Sequence, residues 1–277
     1  MLTEDILILA QVKFNAFFFF PNHIMQYRYH RMSFGASMLK LSGLRLRNSI
    51  LFVSIAGMVV GFGGVSEASQ GKTFAQWCQG KDTLPPKTRH TVEVLLKKVR
   101  TKNCIESDSR LRNLQALEVV WTQISDVQPL GSLTNLTSLY LDNNQISDVQ
   151  PLSNLTNLTR LHLKRNRIRD IQSLTKLTNL TDLRLDENQI SDIQPLVKLT
   201  RLKVLRLVSN QIKDIKSLTG LTQLVGLGLS RNQITDVQPL ANLTNLKLLL
   251  LESNQISNVQ PLTRLTNLTI LGLDSNQ

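Results

Sequence analysis

From Leu111 onward the chain repeats itself every 22 residues, and the phase holds to the last residue, Gln277. One unit runs Leu133-Thr-Asn-Leu136-Thr-Ser-Leu139-Tyr-Leu141-Asp-Asn-Asn144-Gln-Ile146-Ser-Asp-Val149-Gln-Pro-Leu152-Ser-Asn154. Further units start at Leu155, Leu177, Leu199, Leu221 and Leu243, and a partial one at Leu265. A unit this short cannot enclose its own apolar side chains, so it must stack on its neighbours, which dictates a solenoid. Within each unit Leu139 and Leu141 alternate with Ser138, Tyr140 and Asp142. That is the two-residue period of a strand with one face buried. The return segment, Ile-x-Asp-Val/Ile-x-Pro-Leu, carries Pro129, Pro151, Pro195, Pro239 and Pro261. Proline there disfavours a long helix and predicts a short turn or 3₁₀ segment on the convex side. Ser173 and Ser217 take the same position in two units.

The unit contains L-x-x-L-x-L-x-x-N-x-L/I, the leucine-rich-repeat signature. The predicted fold is an α/β solenoid, a horseshoe with a parallel sheet on its concave face and a helical cap at its N-terminal end. Its asparagine column is Asn144, Asn166, Asn188, Asn210, Asn232, Asn254 and Asn276, with Thr122 in the first unit. A buried amide needs partners, so each is expected to satisfy backbone groups where the chain leaves the strand.

Residues 69–110 carry no repeat and read as a cap over the first unit. Pro85-Pro86 sets a helix start, with Asp82 or Thr83 available as cap. Val92, Leu95, Leu96 and Val99 follow at helical spacing, and Lys97, Lys98, Arg100 and Lys102 oppose the negative helix end. Cys78 and Cys104 flank this helix and are expected to form a disulfide in an exported protein.

Upstream, Lys40, Arg45 and Arg47 precede an apolar run from Ile50 to Val65, and Ser66-Glu67-Ala68 follows with small residues at the −3 and −1 positions. This is the pattern of a secretory signal peptide over residues 38–68. Translation is therefore expected to begin at Met38, with residues 1–37 a mis-extension. The apolar run is shorter than the ~20 residues of a spanning helix, so membrane contact is expected only through an uncleaved signal. The mature protein is expected to be exported, periplasmic or extracellular.

The phrase LTNLTSLYLDNNQISDVQPLSN and its copies, over residues 111–277, resemble the repeats of internalins, exported bacterial leucine-rich-repeat proteins. The resemblance implies a curved solenoid that binds a protein on its concave face. The chain departs from that family in the cysteine pair of its N-terminal module, and neither an immunoglobulin-like domain nor a wall-anchoring motif follows the repeats, so no particular receptor is carried over.

Residues facing the concave side are free to vary without breaking the stack. One column reads Glu118, Tyr140, His162, Arg184, Arg206, Gly228, Leu250, Gly272; its neighbours read Ala116, Ser138, Arg160, Asp182, Val204, Gly226, Leu248, Ile270 and Val120, Asp142, Lys164, Asp186, Val208, Ser230, Glu252, Asp274. Cross-strand charge pairs are expected for Asp142–Lys164–Asp186 and Arg160–Asp182. Tyr140, His162, Arg184 and Arg206 are the candidate centre of a partner-binding surface, because tyrosine and arginine are enriched at binding hot spots. Trp121 is a candidate at the rim, either exposed or packed on the cap helix. Leu248, Leu250 and Ile270 form an apolar patch that marks an interface or a surface covered by further chain. The last unit stops in mid-repeat without a cap, which raises the expectation of a truncated product.

The formal net charge of +12 is spread along the chain, and no nucleic-acid-binding motif accompanies it, so a protein partner is expected and nucleic acid is not. Nucleophile elbow, phosphate loop and metal-ligand spacing are all missing from the sequence, so neither enzyme activity nor a cofactor is expected. Two other function classes remain: a self-associating structural envelope protein, and the targeting domain of a larger protein.

Overall fold

The computed structural model describes residues 71–277. The mis-extension, the signal peptide and the start of the mature chain at Ser69 lie outside the described residues. A cap of three helices leads into eight parallel strands. The cap helices are α1 (Phe74–Gln79), α2 (Pro86–Val99) and α3 (Cys104–Arg112). The strands are β1 (Ala116–Glu118), β2 (Ser138–Tyr140), β3 (Arg160–His162), β4 (Asp182–Arg184), β5 (Val204–Arg206), β6 (Gly226–Gly228), β7 (Leu248–Leu250) and β8 (Ile270–Gly272). They form one open sheet in chain order, each strand paired with the next at an offset of one repeat.

Register follows from the leucine spacing. Leu117, Leu139, Leu161, Leu183, Leu205, Leu227, Leu249 and Leu271 lie opposite one another from strand to strand. A one-residue slip would turn every leucine to solvent. In the second unit Leu133, Leu136, Leu139, Leu141, Ile146, Val149 and Leu152 are all buried and make one layer of the core. Burying one leucine is worth ~2 kcal/mol, and each layer is closed only by the layers beside it.

The convex return is built of seven short 3₁₀ segments, from Gln128–Leu130 to Gln260–Arg264. Proline sits in the first turn of five of them. The segments Gln172–Lys176 and Lys216–Leu218 form without it. What all seven share is a side-chain oxygen two residues upstream of the first amide. Asp126, Asp148, Asp170, Asp192, Asp214, Asp236 and Asn258 each accept from the backbone N–H at that position, at 2.7–3.0 Å. These local turns, rather than proline, are common to every return.

The asparagine column behaves as expected. Asn188 Oδ1 accepts from the Ile168 N–H at 3.0 Å, and Nδ2 donates to the carbonyls of Leu163, Leu185 and Asp186 at 2.9, 3.1 and 3.3 Å. Just before each member the backbone swings left-handed. Trp121, Asn143, Arg165, Glu187, Ser209, Arg231, Ser253 and Ser275 all have φ between 53° and 60°, and none is glycine. That conformation costs an L-residue roughly 1 kcal/mol, held here by the amide bonds that follow.

The cap differs in detail from expectation. Helix α2 starts at Pro86 and buries Val92, Leu95, Leu96 and Val99, but neither Asp82 nor Thr83 caps it. Thr83 lies in a 3₁₀ turn, Lys81–Thr83, and its hydroxyl donates to the Gly80 carbonyl. Pro85 precedes the helix with fixed φ, and Pro86 at the first helical position has no N–H to satisfy, which removes one of the donors a cap would serve. Two further helices flank it, α1 with a Thr73/Gln76 capping box and α3 with an Asn103 cap. Cys78 of α1 and Cys104 of α3 are disulfide-bonded. The Thr88 hydroxyl of α2 donates to the Asp126 carboxylate and that of Thr91 to the Asp126 carbonyl, tying the cap to the first convex turn.

Candidate binding face

The strand register brings the three columns of the concave face together as read from the sequence. Tyr140 lies opposite His162, His162 opposite Arg184, and Arg184 opposite Arg206. The Tyr140 and His162 rings meet edge to face, 4.9 Å between centroids. His162 Nε2 lies 3.3 Å from Asp182 Oδ2 without the alignment of a hydrogen bond. From the other side Arg184 forks onto the same carboxylate, Nε and Nη2 each donating at 3.1 Å.

The charge pairs are not those expected. Asp142 Oδ1 accepts from the backbone N–H of Lys164 at 2.7 Å, and Asp186 Oδ1 from that of Val208 at 3.0 Å. Lys164 Nζ turns away to Glu187 at 3.2 Å, joined there by Arg165 Nε at 2.6 Å. Arg160 stands opposite Asp182 but is not paired with it; Nη1 reaches Ser138 Oγ at 3.4 Å. Carboxylates on short side chains satisfy the nearest backbone amides, and the long cations then reach whichever carboxylate still has a free oxygen. Asp186 accepts its second bond from Arg206 Nε at 3.1 Å.

A vertical segregation of charge results. The Asp182 and Asp186 side chains are 16% and 4% exposed, whereas Arg184 and Arg206 are 43% and 37% exposed. Burial pushes the Asp182 carboxyl up, but the imidazole of His162 close by and the two bonds and charge of Arg184 outweigh it and hold the group at about 2. Glu187 is lowered chiefly by its bond from Arg165, against some burial. The centre of the face thus presents arginine tips over an anionic floor.

Past Arg206 the face changes. Gly226 and Gly228 leave a step without side chains, and beyond it Leu248 and Leu250 are half-buried while Ile270 is exposed. The Ser230 hydroxyl donates to Glu252, and that carboxylate fills the space a side chain at Gly272 would need. At the opposite end Trp121 is 70% exposed, so it does not pack on α2. Among the described residues no group of His, Cys, Asp and Glu could hold a metal ion, and no helix is long and apolar enough to cross a membrane.

Sequence reasoning missed a second feature, an open groove between α2 and β1 lined by His90, Val94, Lys97, Lys98, Glu118, Val119, Val120 and Thr122. Helix periodicity would have put His90, Val94, Lys97 and Lys98 on one face, but only the docking of the cap sets that face beside β1.

A family model of leucine-rich repeats, two copies to a match, fits residues 112–154, 156–198 and 200–242. Among solved structures, an internalin C2 from Listeria monocytogenes is similar at 34% identity, covering 65% of this chain and 91% of that one, with a TM-score of 0.54. The chain belongs to the internalin family. An internalin F from the same species is also similar, at 30% identity over 70% of this chain and 79% of that one, with a TM-score of 0.39. No curated protein sequence matches the chain. As an internalin built of leucine-rich repeats, the protein is an interaction scaffold. In this internalin the variable side chains line the concave sheet, and the Cys78–Cys104 bond fastens the cap.

Proposed function

We propose that the chain is an exported scaffold that binds a protein partner on its concave face. Tyr140, His162, Arg184 and Arg206 make the central contact, with Trp121 at one rim and Leu248 and Leu250 at the other. The observation that carries this reading is the exposure of Arg184 and Arg206 above a half-buried Asp182 and a buried Asp186. Arginines braced in this way lose little side-chain freedom on binding, which is a property of hot-spot residues. Export rests on the signal-peptide pattern over residues 38–68 and on the Cys78–Cys104 disulfide, a bond that persists in oxidising compartments. On this reading residues 1–37 are not translated, the mature chain starts at Ser69, a cap occupies 69–110 and the repeats 111–277. N-terminal sequencing of the exported protein checks the start; a mature chain beginning far from Ser69 would refute it.

The partner is tested by affinity capture with the wild type and the Tyr140→Ala/Arg184→Ala/Arg206→Ala variant. Recovery is expected to drop by roughly tenfold or more, the effect of removing even one hot-spot residue. Equal recovery would remove the concave-face assignment.

A second reading is favoured by one observation: Ile270 and Leu271 are 56% and 45% exposed on the last strand. Pairing of two such faces would make the chain a self-associating envelope component. A mass by light scattering that rises with concentration supports it, and a constant monomer mass excludes it.

A further inference from the structure

The groove between α2 and the outer edge of β1 has the features of a strand-addition site. Directly after β1 the amides that point into the sheet are accounted for: Val119 N–H donates to the Tyr140 carbonyl at 2.9 Å and Trp121 N–H to that of Asp142 at 3.2 Å. Alternation along a parallel strand turns the Glu118 and Val120 amides to the opposite side, away from β2. Neither backbone group of Val120 has a partner among the described residues. What lies on that side is an open groove of about 570 Å³. Its far wall is one face of α2, where His90, Val94, Lys97 and Lys98 recur at helical spacing. At one end His90 Nε2 contacts the Thr122 carbonyl at 2.7 Å and closes it. Val94 and Val120 supply apolar lining, and Trp121, the large exposed aromatic, follows directly in the chain.

The charge of the wall says what fits. Lys97 and Lys98 are exposed and make no ion pair among the described residues. The cap from Gly71 to Gln115 holds ten basic and four acidic residues, and Glu106 and Asp108 are already paired with Arg110 and Arg112. The lining has a single carboxylate, Glu118. The chain's own segment before Ser69, with six basic and three acidic residues, is a poor complement. We propose that this groove takes an extended acidic peptide of a partner protein, which adds as a strand to the free edge of β1 while its carboxylates meet Lys97 and Lys98. Main-chain bonds supply affinity in such sites and the flanking side chains supply selectivity. The site is separate from the arginine cluster of the concave face and stands independently of it.

The test uses the full chain and a fluorescein-labelled octapeptide of alternating glutamate and threonine, read by fluorescence anisotropy. Binding is expected for this peptide and not for its lysine–threonine counterpart. Lys97→Glu/Lys98→Glu should weaken it roughly tenfold or more, as like charges replace opposite ones. N-methylation of alternate backbone nitrogens should abolish it, and so should Val120→Pro, which removes an amide that makes no bond in the fold; its circular dichroism melt should match the wild type. Arg184→Ala/Arg206→Ala should leave binding unchanged. The proposal is overturned if the acidic peptide does not bind, or if binding survives N-methylation, which would reduce the groove to a non-specific charged surface. Loss in the Arg184→Ala/Arg206→Ala variant would move the site to the concave face and equally overturn it.

Discussion

Single residues here are fixed by the hydrogen-bonding groups they must satisfy. Asn188 fills four backbone partners in the buried turn after β4, so Asn188→Ala should lower stability by about 1–3 kcal/mol, measured as a shift in the denaturant midpoint. An unchanged midpoint would contradict the role. Asp182 is fixed by His162 and Arg184, which hold its carboxyl at about 2, below the ~3.9 of an unfolded chain. A depressed acid stabilises the fold above its unfolded value and ceases to do so as pH falls through the folded one. Wild type should therefore exceed Asp182→Asn in stability by roughly 1–2 kcal/mol at neutral pH, after allowance for the exposed guanidinium. The gap should shrink from about pH 4 and close near pH 2. A gap that stays constant down to pH 2 would show that the ionised pair is not its source. The identity of Asp182 was plain in the sequence, but its partner was not. Arg160 is its opposite number in the preceding strand, yet Arg184, two residues along the same strand, takes the bond.

At the level of elements, the repeat made strands and turns legible because leucine spacing and strand geometry have the same period. The left-handed turn was hidden, since eight different non-glycine positions adopt it without any compositional mark. The side-chain oxygen that accepts from the first amide of each 3₁₀ segment, from Asp in six returns and Asn258 in the seventh, recurs openly in the sequence. In the cap, only the helix with an amphipathic pattern was readable. Helix α1 is six residues long and α3 nine, too short for periodicity to declare them. The disulfide joins these two across α2, closing a separation of 26 residues. Reduction, or Cys78→Ser/Cys104→Ser, should cost about 3 kcal/mol through the entropy regained by the unfolded chain. Thermal melting with and without reductant measures it, and identical midpoints would count against a stabilising bond.

The molecule as a whole is a one-dimensional stack, so a residue's worth depends on how many layers lie beside it. Leu205 and Leu271 occupy the same repeat position, but Leu205 is fully buried in the fifth strand and Leu271 is 45% exposed in the eighth. Leu205→Ala should cost about 2–5 kcal/mol, and Leu271→Ala under about 1 kcal/mol because it leaves no closed cavity. Equal losses would mean that the last layer is covered in solution, as self-association would require.

The sequence by itself determined the solenoid, the strand register, the asparagine ladder and the columns of side chains on the concave face. Each of these follows from a period that no other packing satisfies. Tertiary structure alone decided how the charges pair and where the free edge lies. Ion pairing depends on the reach of flexible side chains once backbone amides have claimed the nearest carboxylates, which no spacing encodes. The groove beside β1 depends on how α2 docks, through Val92, Leu95, Leu96 and Val99 in the core and the bonds of Thr88 and Thr91 to Asp126. Those contacts join residues far apart in the chain and outside the repeat, so periodicity could not reveal them.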